Sequence, residues 1–200
     1  MISSDQDELF SAINNEISWL HTVWELFIQI YGSKDEYHET MGSSAPFFFH
    51  MLHEMLFDEL ALSFSRLTDA PVTSGQSNAS MEALIQSIDV AAHPKLIADL
   101  TTQLKELKKN YPEFRTWRHK RVSHNDLMAS IPSSSVTMPQ LTRGKVEAAL
   151  KDVRTWINEF SLWAFQKDIS YHPFLLNVGD GHELMRFLGR GVAVPDEGEA

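Results

Sequence analysis

Residues 4–31 read SDQDELFSAINNEISWLHTVWELFIQIY, and the spacing of their apolar side chains decides the fold class. The apolar positions recur at three- and four-residue steps: Leu9, Ile13, Ile17, Leu20, Trp24, Ile28 and Tyr31. That period places them on one face of an α-helix. Ser3 or Ser4 can cap this helix, and Asp5 and Asp7 suit a first turn in which the helix dipole favours negative charge. The stretch therefore predicts one long helix with a buried stripe.

The same helical period recurs along the rest of the chain. It predicts further helices over residues 46–69, 80–91, 94–109, 143–167 and 181–188. Three segments between them are predicted to be irregular: a polar connector at 33–45, a surface loop at 71–78 and one long loop at 125–141. No stretch alternates apolar and polar residues as a half-buried strand does. We expect an all-α fold, an antiparallel bundle of about five to six helices.

Length and composition limit the possible classes of protein. The chain has 200 residues, 43% of them apolar, which is enough for one domain. We place that domain at residues 1–191 and expect a flexible acidic tail at 192–200. The absence of cysteine excludes disulfides, thiolate zinc sites and a cysteine nucleophile. Without a signal-peptide pattern or a membrane-length apolar run, we expect a cytoplasmic protein with no membrane partner.

Positive charge is concentrated in residues 105–124, KELKKNYPEFRTWRHKRVSH, which we call the basic segment. The segment contains seven of the 17 Lys and Arg residues and only two acidic ones, although the whole chain has a formal net charge of −10. Such a local excess indicates an anionic partner such as a phosphate backbone. Pro112 either kinks the helix before it or begins a new one that carries the remaining basic residues.

Arg118 and His124, within the basic segment, suit phosphodiester chemistry. A neutral His124 could accept the proton of an RNA 2′-hydroxyl while Arg118 stabilises charge on the phosphorane-like transition state, so no metal or other cofactor is required. His119 would orient the phosphate or act as the acid. The products would be a 2′,3′-cyclic phosphate and a 5′-hydroxyl, and DNA would be spared because it lacks the nucleophile.

The spacing of this pair leaves its geometry open. Six residues apart, Arg118 and His124 lie roughly 120° from each other around a straight α-helix. Either the helix unwinds before His124, with Asn125 and Asp126 supplying the stop, or the two groups converge across a symmetric dimer. The same residues also fit a solvated basic helix end that has no catalytic role.

A resemblance to a known family adds to this interpretation. Residues 118–126, RHKRVSHND, resemble the signature of the HEPN superfamily, and their form is closest to the AbiU-like branch associated with abortive phage infection. Residues 58–69, DELALSFSRLTD, are similar to a helix of the same branch, here called the second motif. The order of the long helices and the late segment GDGHELMRFL also fit. Together these features cover most of the chain.

The resemblance implies an all-helical, HEPN-like bundle that forms a symmetric dimer, with the two Arg/His motifs facing each other. It also implies metal-independent RNA cleavage, often within toxin–antitoxin or phage-defence systems, and so a possible antitoxin partner. By this resemblance Arg118 and His124 are catalytic and His119 is their polar neighbour. The alternative is a non-catalytic HEPN-type module that binds RNA, a nucleotide or a protein partner.

The residues around the motif are assigned supporting roles. We predict that five of them bind RNA: Arg115, Trp117, Lys120, Arg121 and Asn125. Trp117 would stack on a base if it is exposed. Asp126 would orient a histidine, and Glu59 would help to line the site. Arg66 and Asp69 support the site or, in the simpler interpretation, form an ion pair or cap contact within their own helix.

Metal binding is the rival chemistry. His50, Glu54 and Asp58 lie near one face of the helix predicted at 46–69, and a helical bundle could hold a metal through such side chains. A site of this kind usually needs a matching Glu-x-x-His or His-x3-His pair on a second helix, and the sequence contains neither. Surface or hydrogen-bonded histidines are the simpler explanation, so we expect no metal, with a metal-binding four-helix bundle as the third alternative.

Overall fold

The computed structural model of the chain describes residues 2–32, 35–123, 138–171 and 179–192. Its α-helices are α1 (Ser4–Tyr31), α2 (Asp35–Ser44), α3 (Pro46–Thr68), α4 (Met81–Gln86), α5 (Pro94–Asn110), α6 (Pro112–Trp117), α7 (Arg143–Phe165) and α8 (Gly181–Val192). A π-helical segment, Arg118–Ser123, follows α6, and strands β1 (Val72–Thr73) and β2 (Gln76–Ser77) pair as a small antiparallel hairpin. The predicted all-α class is confirmed.

Helices α1 and α3 form an antiparallel pair. Glu16 of α1 lies 3.2 Å from Arg66 near the end of α3, whereas the Tyr31 hydroxyl at the end of α1 donates to the Phe49 carbonyl near the start of α3 at 2.6 Å. Ser3 caps α1 in a reciprocal capping box with Gln6. The predicted apolar stripe of α1 faces the core, where Ile13 and Ile17 are fully buried.

Helices α5 and α7 form a second antiparallel pair. His93, just before α5, packs its ring 4.9 Å from that of Trp163 near the end of α7, and the Trp156 indole donates to the Leu100 carbonyl at 2.9 Å. Trp156 is fully buried, so this hydrogen bond satisfies a donor that would otherwise be stranded in the core. Thr142 caps α7, and its hydroxyl accepts from the Lys145 amide at 3.4 Å. One apolar cluster joins both helix pairs.

The prediction of a polar connector at residues 33–45 was wrong, because Asp35–Ser44 form helix α2. Tyr37 and Met41, one turn apart, are buried against Phe49 and Met185 in a second, smaller cluster. Too few apolar residues mark this helix for its period to be visible in the sequence. Its stability therefore comes from packing against α3 and α8 rather than from local propensity.

Other element boundaries differ more modestly from the predictions. Helix α4 ends at Gln86 rather than near residue 91, since the Ser87 hydroxyl donates to the Leu84 carbonyl at 2.7 Å and the chain then turns. Helix α8 extends to Val192, and its first turn is capped by the Asp180 carboxylate, which accepts from the Glu183 amide at 2.8 Å. The predicted surface loop at 71–78 contains the hairpin. Pro112 begins a new helix, α6.

Several predictions concern residues that the structure does not describe. The predicted tail at 192–200 falls almost wholly among them, so the division of the chain at residue 191 stays a prediction. Of the long loop predicted at 125–141, only residues 138–141 lie in the described part, and Leu141 packs into the main core. Within the described helices, none combines the length and apolar character that a membrane crossing requires.

We predict that His21 makes the fold sensitive to acid. The centroid of its ring lies 5.4 Å from that of Tyr171, and the residue is only 8% exposed. Burial and, to a smaller extent, the nearby charge of Arg154 lower the pKa of His21 from 6.5 to about 4. The unfolded chain therefore binds this proton more readily than the folded one. The free energy of unfolding should fall by on the order of 3 kcal/mol as the pH drops from about 6.5 to about 4.

Urea unfolding at a series of pH values measures this effect. The variant His21→Gln, which cannot titrate, should lose the steep part of the pH dependence, whereas His50→Gln, at an exposed position on α3, should keep the wild-type slope. Equal slopes for the wild type and His21→Gln between pH 6.5 and pH 4 would contradict the prediction.

Candidate functional site

The first half of the Arg/His motif lies on an unusual backbone. Helix α6 runs from Pro112 to Trp117 and passes directly into the π-helical segment Arg118–Ser123. A π-helix closes its hydrogen bonds over five residues instead of four, is wider than an α-helix, and occurs mostly as single-turn bulges, frequently at functional sites. Arg118 is its first residue. The side chains of the motif therefore follow a different angular progression from the straight α-helix assumed for the sequence.

Asp69 anchors the arginine of the motif. It caps the C-terminal end of α3, and its carboxylate accepts from Arg118 Nη1 at 2.5 Å and lies 3.4 Å from Arg115 Nη2. Arg115 also donates to the Thr68 carbonyl at 3.4 Å. Asp69 is mostly buried and Arg118 about three-quarters so. One carboxylate thus contacts two guanidinium groups, Arg118 closely and Arg115 more loosely, and the Arg118 fork keeps donors that Asp69 does not use.

Two carboxylates one turn apart on α3 hold the rest of the π-helical segment. Arg121 binds Glu54 at 2.7 Å through Nη1 and Asp58 at 2.8 Å through Nε. Its guanidinium carbon lies 5.7 Å from the centroid of the Trp117 ring, and the Trp117 indole donates to Asp58 at 2.9 Å. Trp117 is half-buried rather than an open stacking platform, because Arg121 and Phe57 pack against it.

The spacing of the second motif explains this arrangement. Asp58 and Asp69 are eleven residues apart, close to three helical turns, so both lie on the same side of α3. That side contacts α6 and the π-helical segment. The sequence shows acidic residues at helical spacing in the second motif and basic residues in residues 118–126, so their opposite charges were visible. The sequence did not indicate that the two motifs bind each other.

Arg66 and Asp69 make the predicted cap contact, since the Asp69 amide donates to the Arg66 carbonyl at 3.4 Å, but their side chains do not form an ion pair. Arg66 turns to the opposite side and pairs with Glu16 of α1 and with Glu59, both at 3.2 Å. Glu59 also accepts from the Trp19 indole at 2.8 Å. Residues three apart on a helix can meet, but here each finds a partner on a neighbouring element. Glu59 and Arg66 therefore join α3 to α1.

Intramolecular ion pairs neutralise much of the basic segment. Four of its seven cations bind carboxylates of other elements: Lys108 to Glu82, Arg115 and Arg118 to Asp69, and Arg121 to Glu54 and Asp58. The Glu113 carboxylate of the segment accepts a hydrogen bond from Lys145. Burial by itself would raise the pKa of Glu113, but this hydrogen bond and the charge of Lys145 outweigh burial, so the pKa is lowered. The accessible positive charge is smaller than the sequence indicates, and it is localised.

Accessible charge lies around a cleft of about 360 Å³ between the ends of α3 and α5 and the α6 region. Arg115, His119 and Lys120 reach it, so three of the predicted site residues share one concave surface. Lys108, Thr68 and Tyr111 also line it, and the sequence argument had not assigned them a role. Only the fold brings the end of α5 beside the end of α3.

The residues proposed for a metal site have other partners. Glu54 and Asp58 hold Arg121, and His50 is exposed. In the described ranges, no three or more His, Asp or Glu side chains are grouped as metal ligands would be. Because the Arg121 guanidinium already balances the charge of these two carboxylates, the structure favours an anchoring role for this pair.

The second half of the motif lies outside the described residues. His124, Asn125 and Asp126 belong to this part of the chain, so their predicted roles stay predictions. The described range that contains the first half of the motif ends at Ser123, the last residue of the π-helical segment. The approach of His124 to Arg118, within one chain or across a dimer, stays open for the same reason.

Comparison with protein families identifies the chain. The AbiU2 family model of the HEPN proteins matches residues 3–181. This chain belongs to the HEPN AbiU2 family. The resemblance drawn from the two motifs is thereby confirmed, and the chain is a HEPN-type module of the abortive-infection group. No curated protein and no solved structure gave a significant match.

We predict that Asp69 stabilises this AbiU2-family fold more than an ordinary surface carboxylate does. Asp69→Asn removes the charge that two guanidinium groups share, so the free energy of unfolding should fall by about 1–3 kcal/mol. Glu147→Gln is the matched control, because Glu147 pairs with Arg143 at 2.8 Å on the exposed surface of α7. The free energy of unfolding of Glu147→Gln should fall by less than about 0.5 kcal/mol. Chemical unfolding of both variants measures the difference, and equal losses would contradict it.

Proposed function

We propose that this AbiU2-family protein is a metal-independent endoribonuclease of a prokaryotic defence or toxin–antitoxin system. The observation that carries the proposal is the anchored guanidinium of Arg118. Asp69 holds it at 2.5 Å beside Arg115, which reaches a cleft surrounded by basic side chains. A fixed guanidinium with spare donors can stabilise a developing phosphorane without reorganising during the reaction. Membership of the HEPN AbiU2 family supports the same conclusion.

The proposed reaction uses the nucleophile of the substrate itself. His124 takes the proton from the RNA 2′-hydroxyl, and the 2′-oxygen attacks the adjacent phosphorus. The bond from phosphorus to the 5′-oxygen breaks, and the leaving oxygen is protonated by an acid, for which His119 is the candidate. Arg118 stabilises the negative charge on the phosphoryl oxygens. The products are a 2′,3′-cyclic phosphate and a 5′-hydroxyl end.

A dimer is part of this proposal, and an exposed stripe on α3 supports it. Phe48, Met51 and Met55 lie on one face of the helix and are 56%, 46% and 61% exposed. Asp58, two turns after Met51, borders the stripe and holds the π-helical segment. Contact between two such stripes would bury apolar surface and bring the two basic segments together.

We predict that Arg118→Ala and His124→Ala each abolish RNA cleavage. Removal of either the charge stabiliser or the base should lower the rate by at least about 100-fold. Purified protein is incubated with total RNA in EDTA, and the new ends are analysed for cyclic phosphate. Arg143→Ala, which removes an exposed arginine of α7, is the control and should cleave at the wild-type rate. Cleavage that persists in both motif variants would exclude these residues.

We predict that Met55→Glu converts the dimer into a monomer and lowers cleavage with it. A carboxylate in the centre of an apolar contact is costly to desolvate. Val90→Glu is the matched control, since Val90 is 68% exposed far along the chain from α3. Light scattering after size-exclusion chromatography measures the mass. A wild-type protein that is monomeric, or a Met55→Glu dimer with full activity, would contradict the proposed arrangement.

The second candidate function is a non-catalytic module that binds RNA or a protein partner. The ion pairs of four of the seven cations, Lys108 and three arginines, favour it over catalysis, because these side chains already have structural partners. RNA retained by the wild-type protein without any cleavage would support this function and exclude the first.

A further inference from the structure

The cleft beside the motif differs in charge from the chain as a whole. Nine residues line it: Phe64, Thr68, Lys108, Tyr111, Pro112, Arg115, Thr116, His119 and Lys120. Four of these have basic side chains and none is acidic, in a chain whose formal net charge is −10. The volume of about 360 Å³ is within the range of small-molecule sites. The composition favours an anionic ligand of about the size of a nucleotide.

The cations of the cleft are weakly restrained. Lys108 lies 2.9 Å from Glu82, but both side chains are more than one-third exposed, where an ion pair contributes little. Arg115 is exposed and lies 3.4 Å from Asp69. Lys120 has no carboxylate within ion-pair distance in the part of the chain that is described. A phosphate entering the cleft therefore finds cations that can turn toward it.

The uncharged groups that line the cleft favour contact with a ring of the ligand more than further hydrogen bonds to it. The Tyr111 hydroxyl donates to Asp152 at 2.6 Å, and burial and this hydrogen bond both raise its pKa, so the ring edge and not the hydroxyl is available. The hydroxyl of Thr116 donates to the Pro112 carbonyl at 3.1 Å, and that of Thr68 donates to a carbonyl of its own helix. With Phe64 at the base, the walls are largely apolar.

We propose that this cleft binds the phosphate and attached nucleoside of an RNA nucleotide neighbouring the cleavage site. The proposal rests on the proposed ribonuclease function and adds a substrate subsite to it. Asp69 connects the two sites, since it contacts Arg118 of the motif and Arg115 of the cleft. The lysines that neutralise the phosphate are Lys108 and Lys120. The ribose and base lie against Tyr111 and Pro112.

Two lysine variants and one control test the subsite. Lys108→Gln and Lys120→Gln each remove one cation from the cleft, whereas Lys109→Gln removes a neighbouring exposed lysine that does not line it. Fluorescence anisotropy measures binding of a single-stranded oligonucleotide with 2′-O-methyl groups, which cannot be cleaved, so binding is separated from catalysis. Thermal melting confirms that each variant is folded.

We expect Lys108→Gln and Lys120→Gln to weaken binding roughly fivefold and to reduce the slope of log affinity against log salt by about 0.7, the value for one lost phosphate contact on a single strand. Lys109→Gln should leave affinity and slope unchanged. Cleft variants that bind like Lys109→Gln would overturn the subsite while leaving the ribonuclease proposal intact. Binding that depends on Lys108, in a protein that cleaves no RNA, would support the subsite and overturn the ribonuclease.

A second ligand separates an RNA strand from a free nucleotide. Isothermal titration calorimetry with uridine and adenosine monophosphates measures the binding of a single phosphate with its nucleoside, without an RNA strand. Binding of the monophosphates alone, lost in Lys108→Gln, would support the phosphate site and assign it to a free nucleotide. No binding of either oligonucleotide or monophosphate to the wild-type protein would overturn the proposal.

Discussion

The ion pairs between α3 and the basic segment fix the geometry of the candidate site. Asp58 and Glu54 hold Arg121 on one turn of the π-helical segment, and Asp69 holds Arg118 at its beginning. An arginine has many rotamers, and ordering one in solution is unfavourable. The contacts with α3 supply that order before any substrate binds. In this chain the Arg/His motif thus depends on two parts, a basic segment and the acidic helix face that positions it.

Helix α3 can act as a support because it is itself held on its other side. Glu59 and Arg66 bind side chains of α1, and Leu60 and Phe64 lie in the main apolar cluster. A change in the packing of α1 against α3 would therefore move Asp58 and Asp69, and the arginines with them. Helix α3 therefore combines an apolar face in the core, the Glu59–Arg66 pair that contacts α1, and the carboxylates that hold the basic segment. The site depends on the bundle as a whole.

The basic residues of the segment have divided roles. Arg118 and Arg121 are restrained by carboxylates at 2.5–2.8 Å, whereas Lys120 lines the cleft and has no carboxylate partner among the described residues. Restrained guanidinium groups suit the orientation of a reacting phosphate, while mobile lysines suit attraction of a strand whose sequence varies. The positive charge counted from the sequence of the segment is therefore larger than the unpaired positive charge that a ligand meets at its surface.

The sequence by itself determined the all-α class, the long helices, the cap of α1 and the HEPN family, because helical period, capping residues and short motifs are local properties. It could not determine α2, whose Tyr37 and Met41 gain stability only from contacts with α3 and α8. Nor could it determine that Asp69 binds Arg118 instead of Arg66, or that Lys108 and Tyr111 share a cleft with His119. These contacts join residues far apart along the chain, and they exist only when the helices have packed. The tertiary structure alone decided them.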